Sequence, residues 1–261
     1  MSFNADALAY QRGRPPYPTA IFDLLADRCG LKPGARVLEI GAGSGLATGP
    51  LLAAGASVHA VEPGESLAAI LAAEHAGDRA DGRLQITVSD FETATLPTGF
   101  DLAAAATSLH WLDPATSTQT IAAHVRPNGY LAPWWNEFGD INRPTTFRDR
   151  LDAVYHDVLP GEPGYRDSRA QALDTDRWHD QLTAGDYFED VSTTIIEWNQ
   201  LLTPQTATNL WSTFSNIAEL PPPARTQFLS RLSAIVEDLG GTVDDPRLTV
   251  IYTARRTDRP A

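Results

Sequence analysis

Three glycines at every second position, directly after a short apolar segment, constrain this chain more than any other feature. Residues 36–40 (RVLEI) read as a buried strand, and residues 46–54 permit a helix. Between them lies Gly41-Ala42-Gly43-Ser44-Gly45. Glycine accepts positive φ in a tight turn, and its missing Cβ lets a ligand approach the backbone closely. The stretch predicts a strand–turn–helix unit whose backbone N–H groups and helix N-terminus face a ligand.

The spacing of the glycines narrows the kind of ligand. A dinucleotide fingerprint has the form G-x-G-x-x-G, whereas the third glycine comes one residue earlier here. Glu39 ends the strand beside the loop, and its carboxylate would repel a pyrophosphate but attract an ammonium group. E-x-G-x-G-x-G after a strand resembles the S-adenosylmethionine (SAM) loop of class I methyltransferases. A nicotinamide site and a structural turn without ligand stay open as alternatives.

Composition limits the other function classes. At 261 residues the chain is one large domain, or one domain with a sub-domain. Its net charge of −13 argues against binding nucleic acid, since affinity for phosphates comes from clustered Lys and Arg. Cys29 is the single cysteine, which excludes an internal disulfide and a cysteine metal site. No cluster of carboxylate and amide side chains indicates a metal site of another kind.

The N-terminal residues contain neither a basic region nor an apolar region of the kind that a signal peptide has. No apolar run reaches the roughly 18 residues that a membrane-spanning helix needs. We therefore expect a cytoplasmic protein with no membrane partner.

Alternating apolar and helix-permissive segments predict a parallel sheet with right-handed crossovers. Expected strands of this part are 36–40, 57–61, 84–88, 100–106 and 130–135. The alternation stops after residue 137. Later segments with helical periodicity or β-branched residues predict helices at 147–159, 175–182, 203–218 and 224–239, and strands at 191–198 and 247–255.

Acidic residues follow two of these strands. Glu62 ends the second strand about 20 residues after the first glycine, where a carboxylate accepts hydrogen bonds from a ribose diol. Asp90 and Phe91 follow the third strand, where the acid could accept from an adenine amine and the ring could cover the base. A surface acid at Glu62 and a turn residue at Asp90 are the simpler alternatives.

The fourth strand leads into Thr107-Ser108-Leu109-His110-Trp111. Ligands of parallel sheets bind at the carboxyl ends of the strands, so Ser108, His110 and Trp111 are expected beside the same ligand as Gly41. His110 is the catalytic candidate, either as a general base or as a group that contacts the substrate. A structural hydrogen bond at the strand end is the alternative.

The first 19 residues combine aromatic residues, arginine and proline, and they form either a packed arm or a lid over the ligand. Tyr10, Arg14 and Tyr17 would line such a lid. An arginine beside a ligand with an amino-acid moiety can hold its carboxylate bidentately.

Together these motifs resemble class I SAM-dependent methyltransferases, and within them the small-molecule branch of trans-aconitate methyltransferase-like (methyltransferase type 11) proteins. The resemblance rests on the arm from Tyr10 to Pro18, the glycine loop, Glu62-Pro63, Asp90-Phe91, the segment 108–113 and the closing strand 249–256. It covers nearly the whole chain except residues 140–190.

The resemblance implies an α/β, Rossmann-like sheet of seven strands in the order 3-2-1-4-5-7-6, with strand 7 antiparallel and a helical cap around strand 6. The implied divisions are 1–136 (arm and SAM-binding core), 137–188 (cap insertion) and 189–261 (strands 6 and 7, with a helical insertion at 203–240). By resemblance Gly41, Ala42 and Gly43 contact the methionine moiety of SAM, as do Thr107 and Ser108 near its end. Glu62 then lies at the ribose, Pro63 follows it in the cofactor site, and Asp90 and Phe91 lie at the adenine.

Aromatic side chains suit a sulfonium ligand through cation–π attraction. Tyr17, Trp111, Trp134 and Trp135 are therefore candidates for the substrate side, together with Asn136 at the end of strand 5, although core packing remains the alternative for each tryptophan. Pro133 cannot donate to a ladder, which predicts a bulge or an early end of strand 5.

The expected activity is transfer of a methyl group from SAM to a small molecule, most readily to an oxygen, leaving S-adenosylhomocysteine. An N- or C-methyltransferase, or a SAM-fold binding protein without methyl transfer, is the alternative. The protein is expected to be a monomer or a homodimer.

Overall fold

A computed structural model describes residues 11–160 and 171–261 of the chain. Its seven strands form one sheet in the order β3-β2-β1-β4-β5-β7-β6. The pairs from β3 to β5 are parallel, and β7 runs antiparallel to both of its neighbours, β5 and β6. The predicted strand order and the reversed strand 7 are confirmed.

The strands are β1 Arg36–Ile40, β2 Ser57–Val61, β3 Leu84–Thr87, β4 Phe100–Ala106, β5 Val125–Glu137, β6 Phe188–Leu202 and β7 Val243–Arg256. The helices are α1 Thr19–Cys29, α2 Thr48–Ala53, α3 Glu65–Glu74, α4 Ala76–Ala80, α5 Ser117–His124, α6 Thr146–Val158, α7 Thr175–Thr183, α8 Pro204–Trp211, α9 Ser215–Ala218 and α10 Pro222–Asp238.

Both faces of the central strands are covered, which explains their continuous apolar sequences. Adjacent residues of a strand point to opposite faces, so Val37 packs in one core cluster and Leu38 in the other. Trp134 and Trp135 of β5 divide between the two faces in the same way. The sheet is therefore the middle layer of three, and its strand ends are held in a fixed register.

The later helices form an apolar cluster of their own. Side chains from α6, α8, α9 and α10 pack together with residues at the end of β6 and the start of β7. The three divisions expected from the sequence remain a prediction, although this separate cluster is what a helical cap would need. No helix in the described stretches is both long and apolar enough to cross a membrane.

A buried ion cluster connects this helical layer to β7. Arg148 of α6 donates through Nε and Nη2 to the two carboxylate oxygens of Asp245, at 2.6 Å each. Arg247 donates to the same carboxylate at 2.8 Å through Nη2. Burial lowers the pKa of Arg247 to about 10, although the attraction of Asp245 opposes the shift. One carboxylate thus compensates two buried guanidinium groups.

The prediction for Pro133 is wrong. β5 neither bulges nor ends at Pro133, which pairs with Ala105 in the same register as its neighbours. On the side of β5 that faces β7, pairing is interrupted at positions 132 and 133 and continues at Trp134 in the same register. The pairing of the two strands therefore tolerates the missing N–H donor of Pro133. The irregularity in β5 lies earlier, where the partners jump from Val125 to Tyr130.

The expected helix at 203–218 is also divided, because α8 ends at Trp211 and α9 starts at Ser215. The helix after the glycine loop is only six residues long, since α2 begins at Thr48 rather than at residue 46.

Candidate functional site

A cavity of about 490 Å³ opens at the carboxyl ends of β1, β2 and β4, within the range typical of ligand pockets. It is lined by these residues that the sequence singled out: Arg14, Gly41, Gly43, Glu62, Pro63, Asp90, Phe91, Thr107, Ser108, His110 and Trp111. Further lining residues that sequence reasoning missed are Ile40, Val61, Leu67, Glu92, Ala106 and Leu112.

The glycine loop is bonded into the sheet. The amides of Gly41 and Ala42 both donate to the Val61 carbonyl, at 2.9 and 3.1 Å. The Gly43 amide donates to the Glu62 carboxylate at 2.8 Å, and the Gly45 amide donates to the Ala42 carbonyl. The expectation that these N–H groups face a ligand is therefore wrong, because the protein already satisfies them.

The loop instead supplies room. All three glycines have positive φ, with 69° at Gly41 and 58° at Gly43. A Cβ at Gly41 would lie 2.6 Å from the Cβ of Ser108, whereas a Cβ at Gly43 would meet no atom within 4 Å. Ser108 also donates its hydroxyl to the Ile40 carbonyl. Gly41 thus permits close contact between the ends of β1 and β4, and Gly43 leaves open space at the cavity.

Glu39 lies behind the loop and does not line the cavity. Its side chain is fully buried, and Thr48 donates a hydroxyl to Oε2 at 2.6 Å. Among the described residues, no group bonds to Oε1. Burial raises the pKa of Glu39 from 4.5 to about 8, against the opposing effect of the Thr48 bond, and the nearby Glu62 raises it further. The carboxyl is therefore mostly protonated near pH 7, and its predicted contact with an ammonium group remains a prediction.

Glu62 is held by backbone N–H groups on both carboxylate oxygens. Gly43 donates to Oε2 and Gly64 donates to Oε1, each at 2.8 Å. Burial raises the pKa of Glu62, while these two bonds counteract the shift. A carboxylate offers about four acceptor sites, so both oxygens retain capacity for a ligand at the cavity wall.

Asp90 and Phe91 lie together at the turn after β3. Asp90 is exposed, and no side chain or backbone group of the described residues donates to its carboxylate. Phe91 begins a short 3₁₀ turn and is buried, with the edge of its ring against His124. The Asp90 carboxylate and the Phe91 ring lie together at the cavity wall, an arrangement that suits a nucleobase with an exocyclic amine.

The end of β4 carries an unusual backbone conformation. Thr107 has a φ of 57°, which is uncommon for a β-branched residue and is found mainly at functional sites. Its amide donates to the Trp134 carbonyl at 2.7 Å. Its hydroxyl lies 3.0 Å from the Tyr17 hydroxyl, which ties the N-terminal segment to the site. Tyr17 thus supports the cavity wall through Thr107 without lining it.

His110 lines the cavity and is fixed from behind. The indole Nε1 of Trp135 donates to Nδ1 of His110 at 2.9 Å. Burial lowers the pKa of His110, and the positive charge of Arg177 lowers it further. The ring centre of Trp111 lies 4.8 Å from that of His110, and Trp111 is 68% exposed. This edge of the cavity therefore combines a neutral imidazole with an accessible aromatic ring.

Several predicted site residues lie away from the cavity wall. Trp134 is fully buried in the core beneath the edges of Tyr17 and Phe22, so the core-packing alternative describes it. Trp135 is buried behind His110, and Asn136 accepts a hydrogen bond from Thr249 at 2.7 Å. Ala42 packs in the core. Tyr10 lies outside the described residues.

Arg14 reaches the cavity from the N-terminal segment. Its Nη2 donates to the Thr213 carbonyl at 3.3 Å, and its guanidinium lies over the rings of Phe138 and Phe214. Within the described stretches, no three His, Cys, Asp or Glu side chains come together as a metal site would require.

Several known proteins are similar to this chain in sequence and in fold. A family model described as a methyltransferase domain matches residues 38–131. An uncharacterized methyltransferase of Mycobacterium tuberculosis is 31% identical over 240 residues, which cover 90% of this chain and 86% of that protein.

Two solved structures extend the comparison to the fold. Phosphoethanolamine N-methyltransferase 2 of Haemonchus contortus, in complex with SAM, superposes with a TM-score of 0.56 at 18% identity over 98% of this chain and 57% of that one. The [4+2]-cyclase SpnF superposes with a TM-score of 0.53 at 21% identity, over 94% of this chain and 85% of that one. The fold is therefore shared by proteins whose names describe different reactions.

Proposed function

The chain belongs to the SAM-dependent methyltransferases, and we propose that it methylates an oxygen atom of a small apolar or aromatic molecule. The cavity has the volume of a small-molecule site. Its accessible aromatic residue, Trp111, lies beside His110 at the end of β4. The net charge of −13 disfavours a nucleic-acid acceptor.

The observation that carries the proposal is the distribution of charge and donors at the cavity. The amides of Gly41, Ala42 and Gly43 are engaged within the protein, so the loop lacks the free donors on which a pyrophosphate depends. Three carboxylates, of Glu62, Asp90 and Glu92, line the same cavity. That environment favours a positively charged adenosine ligand over a nicotinamide dinucleotide.

The residues of the wall suit the parts of SAM in order along the sheet edge. Glu62 has acceptor capacity for the ribose hydroxyls, and Pro63 follows it at the wall. Asp90 could accept from the adenine amine while Phe91 covers the ring. Gly43 leaves space for the methionine moiety.

At the other end of SAM, Thr107 and Ser108 would lie near the methionine moiety. Arg14 would approach the carboxylate of that moiety, and Glu39 would attract its ammonium group from behind the loop after losing a proton.

When bound, SAM would supply a methyl group on a sulfonium sulfur. A lone pair of the acceptor oxygen would form the oxygen–carbon bond, and the electrons of the broken carbon–sulfur bond would stay on sulfur. The protein has to hold the acceptor in line and exclude water, which can supply several kcal/mol. His110 and Trp111 are the side chains proposed to orient the acceptor. The buried indole of Trp135 holds His110 in place through its hydrogen bond to Nδ1.

Calorimetry with SAM, S-adenosylhomocysteine and NADH tests the donor. We expect the first two to bind and NADH not to bind. Incubation with SAM and a panel of phenols, carboxylic acids and amines, with mass spectrometry of the products, then tests methyl transfer and the acceptor atom. Binding of SAM without any methylated product would favour a SAM-fold protein of another activity, and a methylated amine would contradict an oxygen acceptor.

His110→Ala is expected to lower turnover by about 10²-fold or more while SAM affinity changes by less than about threefold, since the residue is assigned to the acceptor. His156→Ala is the matched control, because His156 is exposed and its ring bonds to the Asp152 carbonyl of its own helix, away from the cavity. Loss of SAM binding with unchanged turnover of the bound complex would contradict the assignment.

A further inference from the structure

The hydrogen bond between Trp135 and His110 determines which nitrogen of the imidazole carries a proton. An indole N–H can only donate, so Nδ1 of His110, 2.9 Å away, must accept. A neutral imidazole with an acceptor at Nδ1 carries its proton on Nε2. Nε2 therefore presents an N–H and no lone pair.

The donor is held rigidly. Trp135 is buried, and its ring stacks on Trp178 with centroids 4.4 Å apart. Trp178 donates its own indole N–H to the Gln171 carbonyl at 2.9 Å. Tyr252 packs its ring 6.2 Å from that of Trp135 and donates its hydroxyl to the Ala172 carbonyl. Turning the indole away would disturb all of these contacts.

The imidazole cannot easily adopt the other tautomer. A proton on Nδ1 would face the indole N–H and leave both donors without an acceptor at a buried position, which costs about 1–3 kcal/mol. Burial and the charge of Arg177 also lower the pKa of His110, which keeps the ring neutral. His110 lines the cavity, its Nδ1 is engaged by Trp135, and no group of the described residues bonds to Nε2.

We infer that His110 holds the methyl acceptor as a hydrogen-bond donor through Nε2–H, and that Trp135 is the positioning residue that selects this tautomer. A general base needs a free lone pair directed at the proton that it removes, and His110 has none on the cavity side. His110 thus cannot take a proton from the acceptor, and we expect an acceptor oxygen that arrives already deprotonated, as a carboxylate or an acidic phenolate does. This acceptor class rests on the proposed function, whereas the tautomer does not.

Nuclear magnetic resonance of the ligand-free protein, with nitrogen-15 in histidine and tryptophan, tests the tautomer. The signal of His110 among the six histidines is assigned by its loss in His110→Ala. Near neutral pH we expect a protonated Nε2, an unprotonated Nδ1 and a scalar coupling between Nδ1 and the Trp135 indole nitrogen. A proton on Nδ1 alone, or a charged ring, in the wild-type protein would overturn the inference.

Trp135→Phe removes the donor and should abolish the coupling, shift the Nδ1 signal and let the second tautomer appear. Trp198→Phe is the matched control, since that indole donates to Thr249 at 2.9 Å and should leave the His110 signals unchanged. An unchanged His110 spectrum in Trp135→Phe would refute the positioning role. If that variant does not fold, the coupling in the wild-type protein decides the question by itself.

The acceptor class is tested on the protein loaded with S-adenosylhomocysteine, with benzoate as the probe and benzyl alcohol as its neutral counterpart. Benzoate should move the Nε2–H signal downfield in a saturable way, and benzyl alcohol should move it much less. An Nε2–H signal that benzoate leaves in place would overturn the acceptor class. Failure of S-adenosylhomocysteine to bind would instead contradict the proposed function and leave the tautomer result standing.

Discussion

Glu39→Gln should change how the stability of this protein depends on pH. Glu39 is fully buried, and its pKa is raised from 4.5 to about 8. A raised carboxyl pKa means that the folded state binds more protons than the unfolded state between these two values, so stability falls as pH rises through that range. At 1.36 kcal/mol per pH unit the loss is on the order of 3–4 kcal/mol between about pH 5 and pH 8.

Glutamine has the shape of the protonated carboxyl and cannot ionise, and its carbonyl can still accept from Thr48. We therefore expect the variant to be close to the wild-type protein in stability near pH 5. It should become more stable than the wild-type protein as the pH rises to about 8, by several kcal/mol, or on the order of 10 °C in melting temperature. Urea unfolding at a series of pH values measures the difference directly.

The comparison separates Glu39 from other acids with a raised pKa, such as Glu137, because these are present in both proteins. Burial raises the pKa of Glu137 to about 7, and its effect cancels in the difference. Glu219→Gln, at an exposed glutamate, controls for the change of net charge. Parallel stability curves for wild-type protein and Glu39→Gln would show that Glu39 is ionised in the fold, and the argument from its burial would be refuted.

Two further substitutions test the packing around the site. Gly41→Ala should destabilise the protein by about 1–3 kcal/mol in urea unfolding, because the new Cβ would lie 2.6 Å from that of Ser108 at a positive φ. Gly43→Ala has the same backbone strain but no clash, so it should destabilise the protein less. Equal losses of stability in the two variants would contradict the close contact at Gly41. Asp245→Asn should destabilise by about 3–5 kcal/mol, because it removes the carboxylate that two buried arginines share. The exposed Asp244→Asn should have little effect in thermal unfolding, and a small loss for Asp245→Asn would contradict the role given to the shared carboxylate.

The first half of the sheet could be predicted from the sequence because β1 to β4 are short, largely apolar strands that are followed by turn residues. Spacing alone placed the glycine loop after β1 and the acids after β2 and β3. These are local properties, and the carboxyl ends of parallel strands meet at one edge whatever the side chains do. The cavity wall follows from that rule, including Glu62, Asp90 and His110.

The roles within the wall could not be predicted in the same way, because they depend on contacts between distant segments. The bond that fixes the tautomer joins His110 to a tryptophan 25 residues later. Trp134 and Trp135 are chemically identical neighbours, yet one fills the core and the other supports the imidazole. Only the phase of β5 relative to the sheet decides which is which, and no pattern in the sequence states that phase.

The glycine loop shows how a single contact changes the chemistry of a common motif. The Val61 carbonyl at the end of β2 accepts from both Gly41 and Ala42, which extends the β1–β2 pairing past Ile40. The loop consequently continues the sheet, and the amides of Gly41 and Ala42 are not available to bind a phosphate. What remains at the cavity from β2 is the carboxylate of Glu62, itself held in place by the Gly43 amide. The same register that engages the donors for an anion thus fixes a carboxylate at the cavity, so the charge that the site presents to a ligand follows from strand pairing as much as from the glycine spacing.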